Sequence, residues 1–547
     1  MKQYVIGIDF GTLSGRCVLV DAGSGEEIAE SVHFYSHGVM SETLPDGQKL
    51  PPQYALQHPG DYLDVLRETV PDVLRKAGVA PDEVAGVGID FTACTILPVK
   101  EDGTPLCFLQ EFEKEPHAYV KLWKHHAAQP QADRINRLAE ERGEAWLPVY
   151  GGKISSEWAL PKILQVLEEA PGVYNATDRF TEAGDWLSLC LTGEETHSAA
   201  FAGYKACWSA ESGYPSDEFF TALHPGLHGI VGSKLSEKIL KIDQTAGRLN
   251  DRGAELTGLP AGTPLALPMV DAHAAMPALG ITGEGTLMMI VGTSGCHIIN
   301  CKKGVPVPGI CGYVKDGVLP GFCTYEAGQA AVGDVFDWFV KNGVPASYTA
   351  EANERRMTLH KLLREKASRL KPGESGLLAL DWLNGNRSVL VDSELSGVML
   401  GITLRTKPEE MYRAWIEATA YGTRVILETL EENGIPLDRI VAAGGIAQKD
   451  DMMMQIYADV TGKEIDIAGT AQAGALGSAV YAAVAGGLYP TIAEAAEHLA
   501  RPCLRTYIPD PEHRAVYDRL YAEYKTLHDY FGRGGNDVMK TLRQFTC

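Results

Sequence analysis

The chain has 547 residues, of which 45% are hydrophobic and 22% charged, a composition typical of a globular protein with more than one domain. Its formal net charge of −22 excludes a general nucleic-acid-binding or anionic-membrane surface, so any anionic ligand must meet a locally neutral or basic pocket. The sequence enters an apolar strand without a charged and then apolar leader, and its 11 cysteines, an odd number, lack zinc-site spacing. We therefore expect a reduced, cytoplasmic protein with free thiols.

The first predicted element is a β-hairpin near the start of the chain. Its first strand ends at Asp9, its turn contains Gly11, Thr12 and Ser14, and Arg16 lies on the second strand. Glycine has no side chain, so the bare amides and small hydroxyls of this turn can approach phosphate oxygens closely. A carboxylate beside such a turn either holds Mg²⁺, usually through waters, or caps the turn. Arg16 either neutralises phosphate or is a surface arginine.

A helix, a strand and a long insert follow. Apolar residues at helical spacing predict a helix over residues 61–77. Residues 85–89 form a short buried strand that runs into a polar turn containing Ala93. Residues 114–208 are predicted to form a helical insert of the first domain. Near the end of the insert Lys205 stands among aromatic residues, where it either snorkels to solvent or points into a cleft.

Two carboxylates stand out near the middle of the chain. Asp271 follows an apolar stretch and precedes small residues that let a helix begin close to a ligand. It either caps that helix or acts as a general base, which must lie within hydrogen-bond reach of the hydroxyl that it deprotonates. The nearby His273 is interpreted as structural. Glu326, a charge among small and apolar residues, is either a ligand contact or half of a buried ion pair.

The hairpin pattern occurs a second time past the midpoint. Residues 287–299 again form an apolar strand, a turn with Gly292 and Thr293, and a second apolar strand. A further element recurs in the same order, because residues 436–447 are similar to residues 81–89. Two matched elements in matched order predict a duplicated fold with diverged inserts. The two turns, if they face each other, can hold a polyphosphate between them.

The C-terminal elements complete the second half. The charged stretch 351–370 predicts a helix with a solvated face. The turn of Gly444 and Gly445 after a strand lets a flat adenine ring lie on the backbone. Residues 473–487 are uncharged but short and rich in Gly and Ala, which favours a buried helix over a membrane span. Residues 512–527 predict a docked terminal helix.

These features resemble a known superfamily. The sequence lacks the phosphate loop of Walker-type ATPases and the motif set of protein kinases. The duplicated hairpin, the glycine turn and the helix at 473–487 resemble the actin, sugar-kinase and Hsp70 superfamily, and nearly the whole chain is similar to the FGGY carbohydrate kinases. The motifs of this resemblance are Ile8-Asp9-Phe10-Gly11-Thr12, Gly88-Ile89-Asp90-Phe91-Thr92, Leu122-Trp123-Lys124-His125-His126, Glu182-Ala183-Gly184-Asp185-Trp186-Leu187, Val270-Asp271-Ala272-His273, Gly292-Thr293-Ser294, Gly444-Gly445-Ile446-Ala447 and Gln455-Ile456-Tyr457-Ala458-Asp459.

The resemblance implies an α/β fold of two ribonuclease-H-like domains flanking a deep cleft, with ATP and Mg²⁺ as cofactors. Residues 1–271 form the sugar-binding N-terminal domain in this prediction, and residues 272–547 form the ATP-binding C-terminal domain. The resemblance implies that Asp271 is the catalytic base and a sugar contact, and that Asp9 is the residue associated with Mg²⁺. For the nucleotide it implies a first phosphate loop of Thr12, Ser14 and Arg16, a second of Gly292 and Thr293, nucleotide contacts at Gly333 and Asp337, and adenosine contacts at Gly444 and Gly445. For the ketopentose it implies contacts at Ala93, Lys205 and Glu326.

The activity implied by the resemblance is ATP-dependent phosphorylation of L-ribulose to L-ribulose 5-phosphate, as in arabinose catabolism. One alternative is a kinase for another pentulose or polyol, such as xylulose, although Ala93 and the next residue replace the Arg-Glu pair of glycerol kinases. An alternative of another class is a nucleotide-dependent binding switch of the Hsp70 or actin type. The expected partners are a sugar and ATP, with no nucleic acid and no membrane, and a homo-oligomer is compatible with the sequence.

Overall fold

The computed structural model describes residues 3–545, and its first half contains one large mixed sheet with helices around it. Its strands are β1 Tyr4–Phe10, β2 Ser14–Asp21, β3 Glu27–Phe34, β4 Leu56–Gln57, β5 Val84–Phe91, β6 Ile96–Val99, β7 Val120–Lys121, β8 Arg179–Glu182, β9 His197–Ser198, β10 Ile239–Leu240, β11 Thr245–Arg248, β12 Pro264–Ala266 and β13 Met269–Val270. Its helices are α1 Pro59–Ala77, α2 Gln129–Arg142, α3 Ala159–Glu169, α4 Pro171–Ala176, α5 Ala183–Thr192, α6 Ala199–Lys205, α7 Asp217–Leu223, α8 Ile230–Ser233, α9 Asp251–Thr257 and α10 Asp271–Ala278.

The second half contains another large mixed sheet. Its strands are β14 Gly285–Val291, β15 Gly295–Cys301, β16 Tyr313–Lys315, β17 Cys323–Gln329, β18 Leu378–Leu380, β19 Val398–Leu400, β20 Leu437–Ala443, β21 Glu464–Ile467 and β22 Arg505–Tyr507. Its helices are α11 Gly333–Asn342, α12 Ala346–Glu354, α13 Leu359–Ala367, α14 Pro408–Glu432, α15 Gly445–Lys449, α16 Asp451–Thr461, α17 Ala473–Ala485, α18 Ile492–Leu499, α19 Pro511–Gly532 and α20 Val538–Arg543.

The two large sheets share one topology. In the first, three antiparallel strands run in the order β3-β2-β1, and β5 then pairs parallel to β1, with β12 and β13 parallel on its far side. In the second, β17-β15-β14 are antiparallel, and β20 and β21 continue in parallel. This is the ribonuclease-H-like arrangement twice, so the duplication predicted from the repeated hairpins is confirmed.

Strand register brings three carboxylates to one edge of the first sheet. On the parallel strands β1 and β5, Asp9 lies opposite Asp90, and Val270 at the end of β13 lies opposite Phe91. The next residue, Asp271, begins helix α10. Because the carboxyl ends of neighbouring parallel strands are a preferred place for ligands in α/β folds, this edge is a candidate functional site.

The buried helix predicted at residues 473–487 is confirmed as α17, and it packs on the first sheet. A Cβ on Gly88 would overlap the carbonyl oxygen of Ser478, and a Cβ on Gly7 would overlap that of Ala475. Glycine on both strands therefore lets the helix backbone lie directly on the sheet. A helix from the second half of the chain thus covers the sheet of the first half.

This close contact predicts a large effect of one methyl group on stability. Gly88→Ala should lower the free energy of unfolding by at least about 2–4 kcal/mol, because the new Cβ meets backbone that cannot rotate away. Gly283→Ala is the matched control, since a Cβ there has no neighbouring atom within 4 Å. Urea unfolding of both variants measures the difference. Equal midpoints would contradict the packing described for α17.

Other predicted elements are confirmed or corrected. The helix predicted at 61–77 is α1, and the terminal helix is α19, which buries Tyr517, Tyr521 and Tyr524. The single helix predicted over 351–370 is wrong. It divides into α12 and α13, because Arg356 adopts a left-handed conformation with φ 52° and the Thr358 side chain caps a new helix. The insert at 114–208 is helical but also contributes the short strands β7, β8 and β9.

Within residues 3–545, no helix has both the length and the apolar composition needed to cross a bilayer.

Candidate active site

Asp9, which is partly buried, and Asp90, which is buried, form a carboxyl pair at the end of the first sheet. Asp90 is completely buried, and its Oδ2 accepts a 2.6 Å hydrogen bond from the Ser478 hydroxyl of α17. Burial raises the pKa of Asp90 well above its usual value, and the charge of Asp9 raises it further. Burial also raises the pKa of Asp9, although Asp90 and Arg16, whose Nη1 lies 3.8 Å from Asp9 Oδ2, oppose that shift.

This pair has the chemistry of a divalent-cation site. The Oδ1 atom of Asp90 is buried and has no hydrogen-bond partner among the described residues. Two adjacent carboxyl groups, one with an unpaired oxygen, are unfavourable without a cation and suit the oxygen-only coordination that Mg²⁺ prefers. Asp9 was predicted as the magnesium-associated residue, and the geometry adds Asp90 as a second candidate ligand.

Hydrogen bonds within the first predicted phosphate turn and from two distant side chains hold this turn in place. The amide of Gly11 donates to the carbonyl of Ser14 at 3.0 Å and closes the turn. The Gln57 side chain donates to the carbonyl of Thr12 at 2.8 Å, and the Trp123 indole donates to the Thr12 hydroxyl at 3.1 Å. The orientation of Thr12 is therefore fixed by residues distant in sequence.

The second turn is one residue shorter and rests on backbone contacts. The amide of Gly292 donates to the carbonyl of Ser294 at 3.0 Å, and the amide of Gly333 at the start of α11 donates to the carbonyl of Gly292 at 2.9 Å. A Cβ on Gly333 would lie 2.7 Å from that carbonyl. Gly444 has φ +100°, and a Cβ there would overlap the carbonyl oxygen of Val291. The turn, the start of α11 and the end of β20 therefore meet at backbone distance.

The remaining predicted nucleotide contacts are Gly445, which follows Gly444 in the chain, and Asp337, which follows Gly333 along α11. Gly445, the first residue of α15, is exposed, and a Cβ there would meet no atom within 4 Å. Asp337 lies about one turn along α11 from Gly333, where its Oδ1 is 2.9 Å from the Nε2 of His360 and its other oxygen is 3.5 Å from Lys341. Asp337 therefore pairs with two neighbouring side chains, and about half of its own side chain is exposed.

Lys205 and Glu326 form an ion pair between the two halves of the chain. Lys205, the last residue of α6, donates to Glu326 of β17 at 2.8 Å and lies 5.3 Å from the centre of the Trp158 ring. Burial alone would raise the pKa of Glu326, but Lys205 and the other nearby cationic groups together outweigh burial and lower that pKa to about 2. Lys205 and Glu326, two of the predicted ketopentose contacts, are therefore charged and largely buried. Lys205 can donate hydrogen bonds to a polyol, and Glu326 can accept them.

His273 lies beside this pair. Its ring stacks on Tyr204 with centroids 4.1 Å apart, and its Nε2 is 3.6 Å from Glu326. Neither ring nitrogen has a hydrogen-bond partner among the described residues, and burial lowers its pKa to about 4. His273 is therefore a neutral packing residue behind Glu326, as its interpretation from the sequence proposed.

The loop with Ala93 is held by two buried ionisable residues. Cys94 has φ 56°, a backbone conformation that residues other than glycine rarely adopt. Lys162 donates to the carbonyl of Cys94 at 2.5 Å, and Glu182 accepts from the amide of Thr95 at 3.0 Å. Burial lowers the pKa of Lys162 to about 8 and raises that of Glu182 to about 8. These contacts fix the loop that the sequence predicts to meet the sugar.

Asp271 lies where the surroundings shift its acidity toward neutrality. Its Oδ1 accepts a 2.6 Å hydrogen bond from the amide of Ala272, which orients the carboxyl group at the start of α10. Burial raises its pKa to about 7, and the charges of Asp9 and Glu326 contribute to that shift. A pKa near the working pH is the property that general-base catalysis requires. Charges of both the candidate cation site and the Lys205–Glu326 pair therefore act on this carboxyl group.

Several residues of the site were missed by sequence reasoning. Asp90 had a usable signal, because Ile89-Asp90-Phe91 repeats the tripeptide around Asp9. Trp123 and Glu182 lie in motifs of the family resemblance, but no role was assigned to them there, and Lys162 had no signal. The roles of all three depend on contacts distant in sequence. His125 lies deeper than a sugar contact, with Nε2 2.9 Å from Gln165 and no exposed surface.

The geometry first defines a class of protein. Two ribonuclease-H-like sheets, each with a glycine turn, and carboxylates at their junction are the architecture of the actin, Hsp70 and sugar-kinase superfamily. The family profile described as the N-terminal domain of the FGGY family of carbohydrate kinases matches residues 4–277, and the profile of the C-terminal domain matches residues 287–486.

The chain belongs to the FGGY family of carbohydrate kinases. It is therefore a phosphotransferase that uses ATP and has an alcohol acceptor, which excludes the alternative of a binding switch of the Hsp70 or actin type.

Curated relatives match over almost their whole length. The ribulokinase of Halalkalibacterium halodurans is 53% identical over 546 residues, which cover 99% of this chain and 97% of that protein. The ribulokinase of Bacillus licheniformis is 54% identical over 97% of both chains. The ribulokinase of Mycolicibacterium smegmatis is 48% identical over 99% of this chain and 96% of its own length.

Solved structures are similar in fold at low identity. A xylulose kinase from Rhodospirillum rubrum superimposes with a TM-score of 0.80 at 22% identity, covering 96% of this chain and 98% of that one. A gluconate kinase from Lactobacillus acidophilus gives a TM-score of 0.81 at 19% identity, covering 97% and 98%. The predicted α/β fold of two ribonuclease-H-like domains is confirmed.

Proposed function

We propose that this chain phosphorylates L-ribulose at its 5-hydroxyl with ATP, giving L-ribulose 5-phosphate and ADP. The observation on which the proposal depends is the position of Asp271 at the start of α10. It directly follows Val270, which pairs with Phe91 next to the carboxylates of Asp9 and Asp90. The ribulokinases that are 48–54% identical over nearly the full chain support the choice of sugar.

In this proposal the two halves of the chain bind different substrates. Residues 1–271 would supply most of the sugar contacts, with Ala93 and Lys205, and residues 272–547 would supply most of the ATP contacts and Glu326. Gly292, Thr293 and Gly333 offer backbone groups to the phosphates, and Gly444 and Gly445 offer a flat surface to the adenosine. Thr12, Ser14 and Arg16 would complete the phosphate site from the other half.

The chemistry is an in-line transfer with a loose transition state. The 5-hydroxyl oxygen forms a bond to the γ-phosphorus while the bond from that phosphorus to the bridging oxygen of ADP breaks. The hydroxyl proton passes to Asp271, which must be ionised to receive it. Asp9 and Asp90 would hold Mg²⁺, which supplies neutralisation of phosphate charge when bound.

Lys205 and Glu326 orient the sugar in this proposal. Lys205 offers three donors and Glu326 offers acceptors, so together they can bind the hydroxyl and carbonyl oxygens of a ketopentose. We propose a cytoplasmic enzyme, because the odd number of cysteines, 11, favours free thiols in a reducing compartment.

A sugar panel tests the proposed function. We expect L-ribulose to have a higher kcat/KM than D-ribulose, the xyluloses or glycerol, because differences of about 1–3 kcal/mol in transition-state binding separate substrates that fill one pocket differently. A coupled assay of ADP release with each sugar measures this. A clear preference for another sugar, or ATP turnover that no sugar stimulates, would refute the proposal.

A further inference from the structure

Arg387 lies on the segment between β18 and β19, which crosses the end of strand β17. The next residue, Ser388, accepts a hydrogen bond from the amide of Gly328 at 3.2 Å, and its hydroxyl lies 3.7 Å from the sulfur of Cys311. A Cβ on Gly309 would overlap the backbone of Val389. The backbone directly after Arg387 is therefore held against strand β17 and against the loop that contains Gly309.

The side chain of Arg387 lies over the face of the sheet that carries Glu326. Glu326 and Gly328 are two residues apart on β17, so they point to the same face. The Cδ and Nη1 atoms of Arg387 lie 3.4 and 3.6 Å from the position of a Cβ on Gly328. Lys205 reaches Glu326 on this face from the first half of the chain. The guanidinium therefore faces the junction of the two halves.

The register of the sheet places Arg387 between the proposed sugar site and the second phosphate turn. Along the ladder of β15 and β17, the pair Ile298–Glu326 is followed by Cys296–Gly328 and then by Gly295–Gln329, where the turn ends. Arg387 covers the middle pair. Arg387 therefore lies along β17 between Glu326 and the strand end next to the second turn.

The guanidinium of Arg387 is unpaired in the part of the chain that the structure describes. Within residues 3–545 it makes no hydrogen bond and no ion pair, although Glu157 and Glu326 are among its charged neighbours. Burial opposes its charge, but Glu157 and the other neighbours raise its pKa above the usual value, so it stays protonated. A partly buried cation with five unused donors in a planar fork matches the geometry of phosphate oxygens.

We propose that Arg387 is a further catalytic residue, which donates hydrogen bonds to the equatorial oxygens of the phosphoryl group during transfer. This inference rests on the proposed function. The bonds that form and break are those given above, and Arg387 gains and loses no proton. Preorganised donors aimed at developing charge are among the largest contributions to catalysis. After transfer the same fork holds the phosphate of the product.

A purely structural role of Arg387 would give different experimental results. If Arg387 only attracted Glu157 and so held the two halves together, its loss would weaken the binding of free and phosphorylated sugar alike. It would also lower the melting temperature. A ligand for the phosphoryl group is needed only when that group is present.

The experiment compares Arg387→Ala and Arg387→Lys with Arg405→Ala, a control at an exposed arginine of the same half. We expect Arg387→Ala to lower kcat by about 10²–10³-fold with little change in the KM of ATP. Free guanidinium ion should restore part of this activity. Arg387→Lys should recover part of it without added guanidinium, since it keeps the charge but loses the fork. Calorimetry should show weaker binding of L-ribulose 5-phosphate and unchanged binding of L-ribulose.

The outcomes separate the inference from the function on which it rests. Equal kcat for Arg387→Ala and the wild type, or equal losses of affinity for the two sugars without rescue, would overturn the role of Arg387 alone. If the wild type prefers another sugar, the same variants are measured with that sugar and its phosphate, and the result for Arg387 stands. A wild type that phosphorylates no sugar would overturn both.

Discussion

Asp271→Asn should lose almost all sugar phosphorylation and keep ATP binding. Asparagine has the same shape and can still accept the hydrogen bond from the amide of Ala272, so the start of α10 should be unchanged. It cannot take the hydroxyl proton, and the loss of a general base lowers kcat by about 10²–10⁴-fold in typical cases. Coupled assays measure kcat, and calorimetry measures the dissociation constant of ATP.

The matched control for this change is Asp251→Asn. Asp251 is also the first residue of a helix, α9, but it is exposed. It should leave kcat unchanged. If Asp271→Asn retained full turnover, the assignment of the base would be wrong.

The acidity of Asp271 also predicts a pH dependence. The base must be ionised, so the rate should rise with pH and level off above the pKa of Asp271, which burial raises to about 7. An aspartate with an ordinary pKa, about 4, would give a flat rate across the neutral range. A profile of kcat/KM for the sugar in the wild type distinguishes the two. A flat profile between mildly acid and mildly alkaline pH would contradict the shifted pKa.

Lys205→Met should nearly abolish use of the sugar and destabilise the fold. It leaves Glu326 as a partly buried carboxylate without its cation, and breaking such a pair costs about 3–5 kcal/mol. It also removes the donors proposed to orient the ketopentose. We expect kcat/KM for the sugar to fall by at least about 10²-fold, together with a lower melting temperature.

Two further variants separate binding from stability. Lys205→Met combined with Glu326→Gln removes both charges and should recover stability without recovering activity. Lys241→Met removes an exposed lysine that lies 3.6 Å from Asp316 between the same halves. It should change little, because pairs that an exposed and mobile lysine makes contribute about 0–1 kcal/mol. Recovery of sugar turnover in the double variant would show that the pair is structural only.

The fold was predictable because its signals are local and repeated. Two hairpins with glycine turns, each followed by a matching strand, indicated a duplicated sheet, and the uncharged stretch at 473–487 indicated a buried helix. The break between α12 and α13 was not predictable, because it depends on one left-handed residue, Arg356, in a stretch whose composition favours a helix throughout.

The candidate site was predictable only in part. Asp9 and Asp271 each end an apolar strand, which is a pattern that a sequence shows. Arg387 lies in an irregular segment and Lys162 lies within helix α3, and neither has a local sequence signal for its role. Lys162 is distinguished by its contact with Cys94, which is distant in sequence, and Arg387 by a guanidinium that is unpaired among the described residues. The roles of all these residues, and the division of the chain at residue 271, stay predictions that the experiments above address.

A crystal structure with L-ribulose and a non-hydrolysable ATP analogue tests the central claim most directly. We predict the β- and γ-phosphates between the turns of Thr12 and Thr293, and the 5-hydroxyl about 2.6–3.2 Å from a carboxyl oxygen of Asp271. A nucleotide that touches only one turn, or a sugar whose 5-hydroxyl lies away from Asp271, would contradict the account.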